Sequence, residues 1–227
     1  MAAFEIDDWF PLDDEDHHAQ VAGLLNILGK QPKRIVDVGC GDGRILKPLA
    51  DAGHIAIGID TDTLAVEACV RRQLGARVAD ALDPSCDFTV EGTPADAVLC
   101  LGHTFMLLTD PIAVLATLKR IRSSLASGGA FVIDAFCEPL WREVAEGYWQ
   151  SGVAEDGGSQ LVWASGDNVL AFRGVDEIDE DSWEPKPTDR VLRLWSMGEL
   201  RLLAHAAGFI EPEHRVTDRV IVMRAVR

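Results

Sequence analysis

The stretch Arg34-Ile35-Val36-Asp37-Val38-Gly39-Cys40-Gly41-Asp42-Gly43-Arg44 decides how this chain folds. An apolar strand runs into glycines at alternate positions, Gly39, Gly41 and Gly43, and a helix-like segment, Arg44 to Ala52, follows at once. Glycine lets the backbone turn tightly and approach a ligand closely, and a new helix offers free N–H groups. Strand, turn and helix together form a ligand cradle. Asp37 sits two residues before the first glycine, so a carboxylate lies at or near the ligand. That suits a cationic ligand better than a pyrophosphate.

A dinucleotide fingerprint needs Gly-x-Gly-x-x-Gly or Ala. Counted from Gly39, the sixth position is Arg44; counted from Gly41, it is Leu46. Both registers fail, and no Gly-x4-Gly-Lys-Ser/Thr phosphate loop is present. A second apolar run, Ile55 to Ile59, ends in Asp60. An acid at the tip of a second strand is where a ribose diol would be gripped.

Val36-Asp37-Val38-Gly39-Cys40-Gly41-Asp42-Gly43 and Gly58-Ile59-Asp60 together resemble the first two motifs of the class I S-adenosylmethionine-dependent methyltransferases, of the small-molecule type. Further matches follow in order. Val78-Ala79-Asp80-Ala81 resembles the family's third-strand segment and Asp96 to Cys100 its fourth strand. Leu125 to Asp134 resembles its helix-turn-fifth-strand segment, and Glu199-Leu200 with Ala206 to Phe209 its last helix. The resemblance implies an α/β fold: a Rossmann-like, doubly wound, mostly parallel seven-stranded sheet with an antiparallel last strand and an insertion after the fifth strand. It implies S-adenosylmethionine as cofactor and a small-molecule methyl acceptor, methylated on O or N. Asp37 is expected near the methionine amino group, with Gly39, Cys40 and Gly41 presenting backbone around the methionine part. Asp60 is expected to accept from the ribose hydroxyls, with Thr61 flanking the adenine. Asp80 is expected to accept from the adenine amino group, Ala81 offering its N–H. Cys100, Leu101 and Gly102 are expected to floor the site beside the sulfonium. In Leu101-Gly102-His103-Thr104-Phe105, His103 stands where such enzymes often carry Asn. The Asp/Asn-Pro-Pro-Tyr/Phe motif of DNA and protein-amide methyltransferases is absent, as is any Pro-Cys pair for cytosine-C5 chemistry.

Composition agrees. The 227 residues suffice for one α/β domain with a full core, and 48% hydrophobic with 26% charged residues are ordinary globular values. The formal net charge of −16 repels phosphate backbones and anionic membranes, so neither nucleic acid nor membrane is an expected partner. No apolar run approaches a membrane span, and the acidic N-terminus is unlike a signal peptide. Cys40, Cys69, Cys86, Cys100 and Cys137 are odd in number and lack metal spacing, which reads as buried thiols in a reducing cytoplasm. The acidic runs Asp7–Asp16 and Asp176–Asp181 read as solvated faces or mobile loops.

Along the chain, helical and strand periodicity alternate. Helices are expected near 17–29, 43–52, 62–74, 110–126 and 196–207. Strands are expected near 34–38, 54–59, 76–79, 95–101, 130–135, 209–214 and 217–226, the last two joined around Arg215 and hence antiparallel. The organisation reads as one domain, 1–227, with an N-terminal helical cap (1–30) and an insertion (137–190) after the fifth strand. That insertion holds four of the six tryptophans, and 159–165 with 169–175 alternate as a hairpin around Gly166-Asp167-Asn168. It reads either as a satellite core or as an aromatic lid in which Trp141 and Trp163 touch the acceptor.

Methyl transfer from a sulfonium releases a neutral thioether, so no acid is needed and alignment in a dry pocket does most of the work. A base helps where the acceptor must lose a proton. His103 is the best-placed candidate, with a wall or cofactor-contact role as its alternative. His17 and His18 have no third ligand at metal spacing, so no metal is expected. Trp9 and Phe10 are expected to cap the cofactor or to staple the first helix to the sheet. The competing functions are a nicotinamide-dependent oxidoreductase and a cofactor-binding protein without turnover.

Overall fold

Apolar runs separated by glycine turns and amphipathic stretches produce two sheets. The computed structural model describes residues 14–134, 137–155 and 157–225; Trp9 and Phe10 lie outside them. Elements run α1 (Asp14–Leu28), β1 (Arg34–Val38), α2 (Leu46–Asp51), β2 (Ile55–Asp60), α3 (Thr63–Arg71), β3 (Gly75–Val78) and β4 (Ala95–Cys100). A 3₁₀ turn (Thr104–Leu107) leads to α4 (Pro111–Ser124), β5 (Leu125–Asp134) and α5 (Cys137–Glu146). Then come β6 (Gly152–Val153), β7 (Ser159–Trp163), β8 (Val169–Gly174), β9 (Val191–Arg193), α6 (Met197–Ala207), β10 (Glu213–Arg215) and β11 (Val220–Arg224).

The main sheet has seven strands in the order β10-β11-β5-β4-β1-β2-β3. From β3 to β5 every pairing is parallel, while β11 runs antiparallel to both β5 and β10. Order and direction are those expected of the Rossmann-like methyltransferase fold. Local boundaries move where pairing overrides periodicity. β5 begins at Leu125, inside the expected helix, because Leu125 pairs with Ala95 and a register shift follows. The last strands turn at 216–219 rather than at Arg215, which instead pairs with Val220.

Strand alternation sorts the core. Val36, Val98, Phe131, Ile133, Ile221 and Met223 face α4 and α6, with Leu118, Ile121, Leu200 and Leu203 opposite them. Ile35, Leu99, Val132 and Val222 face the other way, under Leu24 and Leu28 of α1, Leu49 of α2 and Ile45 at its N-cap. Period two then places Asp37 after Ile35, and Asp134 after Val132, on the face that α1 covers. The helix ends carry their own signals. Asp62 and Asp110 cap α3 and α4 through the N–H groups of Leu64 and Ile112, and Ser196 with Glu199 closes a capping box on α6.

The second sheet, β6-β7-β8-β9, is antiparallel throughout and includes the expected hairpin. It continues to Arg193, past the 137–190 boundary read from sequence. Its apolar side is not a separate satellite: Leu170 and Leu192, with Leu140 of α5 and Leu194 and Trp195 after β9, belong to the same core cluster as β4 and β5. Arg173, fully buried, is satisfied by Asp189 (Nη2 to Oδ2, 2.8 Å), Gln160 and the Ser182 and Glu184 carbonyls. Gln160 also holds Asp179 through both its N–H and its C=O, so this part of the acidic run is tied down.

Candidate active site

The C-terminal ends of β1, β2 and β4 and the loop after β3 open on one cleft of about 630 Å³. Asp37, Gly39, Cys40, Gly41, Asp60, Thr61, Asp80, Ala81, Leu101 and Gly102 all line it. Residues from four separated segments thus converge at the sheet edge where open α/β folds bind ligands.

The glycine turn is held from below. Gly39 and Cys40 both donate to the Ile59 carbonyl, at 2.8 and 3.2 Å. Gly39 (φ +69°) has its missing Cβ directed at the Thr104 side chain, so a larger residue there would collide. Gly41 (φ +52°) is different: a Cβ on it would meet nothing within 4 Å, so its side chain's place is open space. A backbone that turns with positive φ and leaves room above itself fits a ligand lying across the loop. Asp60 ties this turn to β2: Oδ2 accepts from the Gly41 N–H at 2.8 Å and Oδ1 from the Asp62 N–H at 2.9 Å. Each oxygen keeps a further lone pair. Asp80 accepts from the Leu82 N–H at 2.8 Å, and the Ala81 carbonyl is held by Arg120 at 2.7 Å.

Asp37 is only 2% exposed. Burial raises its carboxyl pKa from 3.8 to about 7, against the lowering effect of Arg44 and with smaller upward pushes from Asp134 and Asp60. A cation seated beside this carboxyl would draw it back to its ionised form. The Cys40 thiol, also pushed far up by burial and by Asp37, is in no state to act as a nucleophile.

Other expected residues are not among those lining the cleft. Cys100 lies beneath its floor, packed with Val38, Phe105 and Phe131 around a small apolar void. His103 lies between the lining residues Gly102 and Thr104, in the left-handed conformation (φ +59°), with its N–H donating to Asp134 Oδ2 at 2.6 Å. Trp141 and Trp163 are not among the lining residues. Their indole N–H groups donate to the Trp195 and Trp149 carbonyls, at 3.2 and 3.0 Å, and their rings pack on the main core. Trp195 in turn donates to the Phe105 carbonyl at 3.1 Å, and Arg193 to that of Thr109 at 3.2 Å. The stretch that follows the insertion, Arg193 to Trp195, therefore braces the 104–109 segment. Of the insertion's described residues, Arg190 is the one that lines the cleft.

Sequence reading missed Arg44, Gln20 and Asp134. Arg44 lines the cleft, donates to His17 Nδ1 at 2.8 Å and reaches Gln20 Oε1 at 3.4 Å. Gln20 Nε2 donates to Asp134 Oδ1 at 2.5 Å. One signal was available: Asp134, like Asp37, is an acid closing an apolar strand.

Residues 35–129 match the family profile described as a methyltransferase domain. No curated protein sequence matches the chain. Among solved structures, a sugar N-methyltransferase from a Streptoalloteichus species shares 18% identity, covering 100% of this chain and 95% of its own, with a TM-score of 0.66. An S-adenosylmethionine-bound amino pentose methyltransferase from Micromonospora echinaspora shares 20% identity over 100% and 99% of the two chains, with a TM-score of 0.64. Magnesium protoporphyrin IX methyltransferase from Synechocystis, with S-adenosylhomocysteine bound, shares 13% over 100% and 90%, with a TM-score of 0.55. At these identities the likeness is one of fold. The domain match shows a methyltransferase domain over residues 35–129, built on the glycine turn, and the likeness shows the fold of the S-adenosylmethionine-dependent methyltransferases. The nicotinamide alternative finds no support in these matches. No helix among the described residues is long and apolar enough to cross a membrane.

Proposed function

We propose that this enzyme methylates an amine on a small, sugar-like acceptor, with His103 taking the amine's proton. The observation that carries the reading is the shape of the cleft: about 630 Å³, edged by the cofactor motifs at one end and by Leu101, Gly102, Thr104, Leu107 and Leu108 at the other. A space of that size suits a nucleoside cofactor with one small acceptor. The cofactor supplies an electrophilic methyl group on sulfur. In this reading Asp60 and Asp80 bind its ribose and adenine, and Asp37 and Arg44 face its amino acid part.

The preference for an amine rests on charge and on analogy. A surface of net charge −16 draws in cations. Two of the full-length structural neighbours are named for an amino pentose and for sugar N-methylation. An amine is largely protonated at neutral pH and cannot attack until it loses that proton, which gives His103 its task.

The test is S-adenosylhomocysteine release over a panel of amino sugars, their hydroxyl counterparts and catechols, with products read by mass. Turnover confined to amines supports the reading, and turnover confined to hydroxyl acceptors overturns the choice of nitrogen. His103→Ala should lower turnover on the amine at least about a hundredfold while cofactor affinity holds. A loss below tenfold, with an unchanged pH profile, returns His103 to the wall.

A further inference from the structure

His103 occupies a backbone conformation that a non-glycine residue rarely adopts, with φ +59° and ψ +6°. Such strain persists only where the surroundings over-determine it, and it clusters at functional sites. The restraint here is specific. Asp134 is 4% exposed, and its Oδ2 accepts the His103 N–H at 2.6 Å. Its Oδ1 accepts from Gln20 Nε2 at 2.5 Å, across 114 residues of sequence. Gln20 is 2% exposed and belongs to α1. Its Oε1 receives both Arg44 Nη atoms at 3.4 Å, while Arg44 Nη1 also meets His17 of the same helix at 2.8 Å. An unbroken polar chain therefore runs from the cofactor loop, through α1, to the backbone of His103. It crosses the face of the sheet on which Asp37 also lies.

We infer that Asp134 is a positioning residue for methyl transfer: it fixes His103 in its left-handed turn beside the methyl site and, through Gln20, makes that geometry depend on the seating of α1. The inference rests on the proposed role of His103. A carboxylate suits the task better than its alternatives. It accepts on both oxygens, so His103 N–H and Gln20 N–H can be satisfied together. Alanine satisfies neither. Asparagine can keep the His103 bond through Oδ1, but it then turns a donor toward Gln20 Nε2. Gln20 must reverse its amide and lose its hold on Arg44.

The test uses the full chain, with S-adenosylhomocysteine as the probe ligand. Amide hydrogen exchange of His103 is compared with that of Val98 and Leu99 in β4 for wild type, Asp134→Ala, Asp134→Asn and Gln20→Ala. Asp134→Ala should speed His103 exchange at least about a hundredfold with the β4 amides unmoved, and Asp134→Asn should restore it to within about tenfold. Gln20→Ala should speed it by about tenfold and weaken S-adenosylhomocysteine binding through Arg44. Unchanged His103 exchange in Asp134→Ala overturns the inference. So does loss of protection throughout β4 that asparagine fails to rescue, since Asp134 is then a general fold residue. The kinetic arm is a double-mutant cycle with His103→Ala on the amine methylated in the panel above. If Asp134 acts through His103, Asp134→Ala lowers kcat at least about tenfold in wild type but less than about threefold in the His103→Ala background. Equal losses in both backgrounds overturn the inference and leave the base assignment standing. Full activity of His103→Ala fails the base assignment itself and takes the inference with it, while the exchange data still report whether the restraint exists.

Discussion

Asp60 accepts from the Gly41 N–H through one oxygen and from the Asp62 N–H through the other, so it shapes the glycine turn before any ligand arrives. The ribose role proposed for it would add to that one. Asp60→Ala removes the acceptor for two ribose hydroxyls and should weaken S-adenosylhomocysteine binding by about 1.5–3 kcal/mol, the range for charge-assisted hydrogen bonds. Calorimetry giving an unchanged Kd would sink the ribose assignment. Asp37 gives a second residue-level test. Its carboxyl titrates at about 7 because burial disfavours the charged form. In the proposed orientation the cofactor's ammonium needs the carboxylate, so protons compete with it. Affinity should therefore fall by up to about tenfold per pH unit once the solution drops below the free enzyme's value. Asp37→Asn should flatten that dependence. A Kd that ignores pH in the wild type would place the cofactor's ammonium elsewhere.

At the scale of elements, the segment that leaves the second sheet at Arg193 acts as a brace. Trp195 is fully buried, its ring 5.5 Å from that of Phe105 and its N–H on the Phe105 carbonyl. Trp195→Ala leaves a void and an unsatisfied carbonyl under the 104–107 turn and should cost about 3–5 kcal/mol. Trp195→Phe keeps most of the packing and should cost nearer 1 kcal/mol, the worth of one hydrogen bond. Urea unfolding measures both, and equal midpoints for the two variants would mean that the indole N–H, not the ring volume, dominates. What the sequence made legible follows the same division. The first five main-sheet strands and the glycine turn could be read because their signals are contiguous: apolar runs, alternate glycines, terminal acids. β6 and β9 are two and three residues long, too short for periodicity to register, and are strands only because β7 and β8 supply partners. Trp141 and Trp163 invited a lid reading because aromatic content carries no direction; their N–H partners and core contacts exist only in three dimensions. The Gln20–Asp134–His103 chain spans separations of 114 and 31 residues, which no sequence window contains.

The chain carries −16 in formal charge and, among the described residues, an acid buried near neutrality, and both bear on stability in the same direction. Asp37 rises from an ordinary 3.8 to about 7 on folding, so between those values the folded chain binds a proton that the unfolded chain has released. The stability from that proton is fully present below about 4 and is lost as pH climbs through 7, a loss on the order of 4 kcal/mol. Asp167 and Asp189 have the opposite sign. Burial works against both, but hydrogen bonds from the Asn168 backbone and Arg193, and from Arg173 and the Lys186 backbone, hold their pKa values down. Their contribution is lost only as pH falls through the acid range. Stability of the cofactor-free enzyme should therefore peak in mildly acidic solution and decline toward about pH 8. Self-repulsion of surface acids adds to the decline, but it is screened by salt, whereas the buried Asp37 is not. Urea midpoints measured across this range at about 0.1 M and about 1 M salt separate the two, since high salt removes the surface part alone. In high salt the Asp37→Asn variant should show a nearly flat profile. Saturating S-adenosylhomocysteine, whose ammonium in the proposed orientation favours the Asp37 carboxylate, should reverse the wild-type slope. A wild-type midpoint that rises steadily toward pH 8 without ligand would mean that Asp37 keeps an ordinary carboxylate pKa in the fold, and the charge argument for the cofactor's orientation would lose its basis.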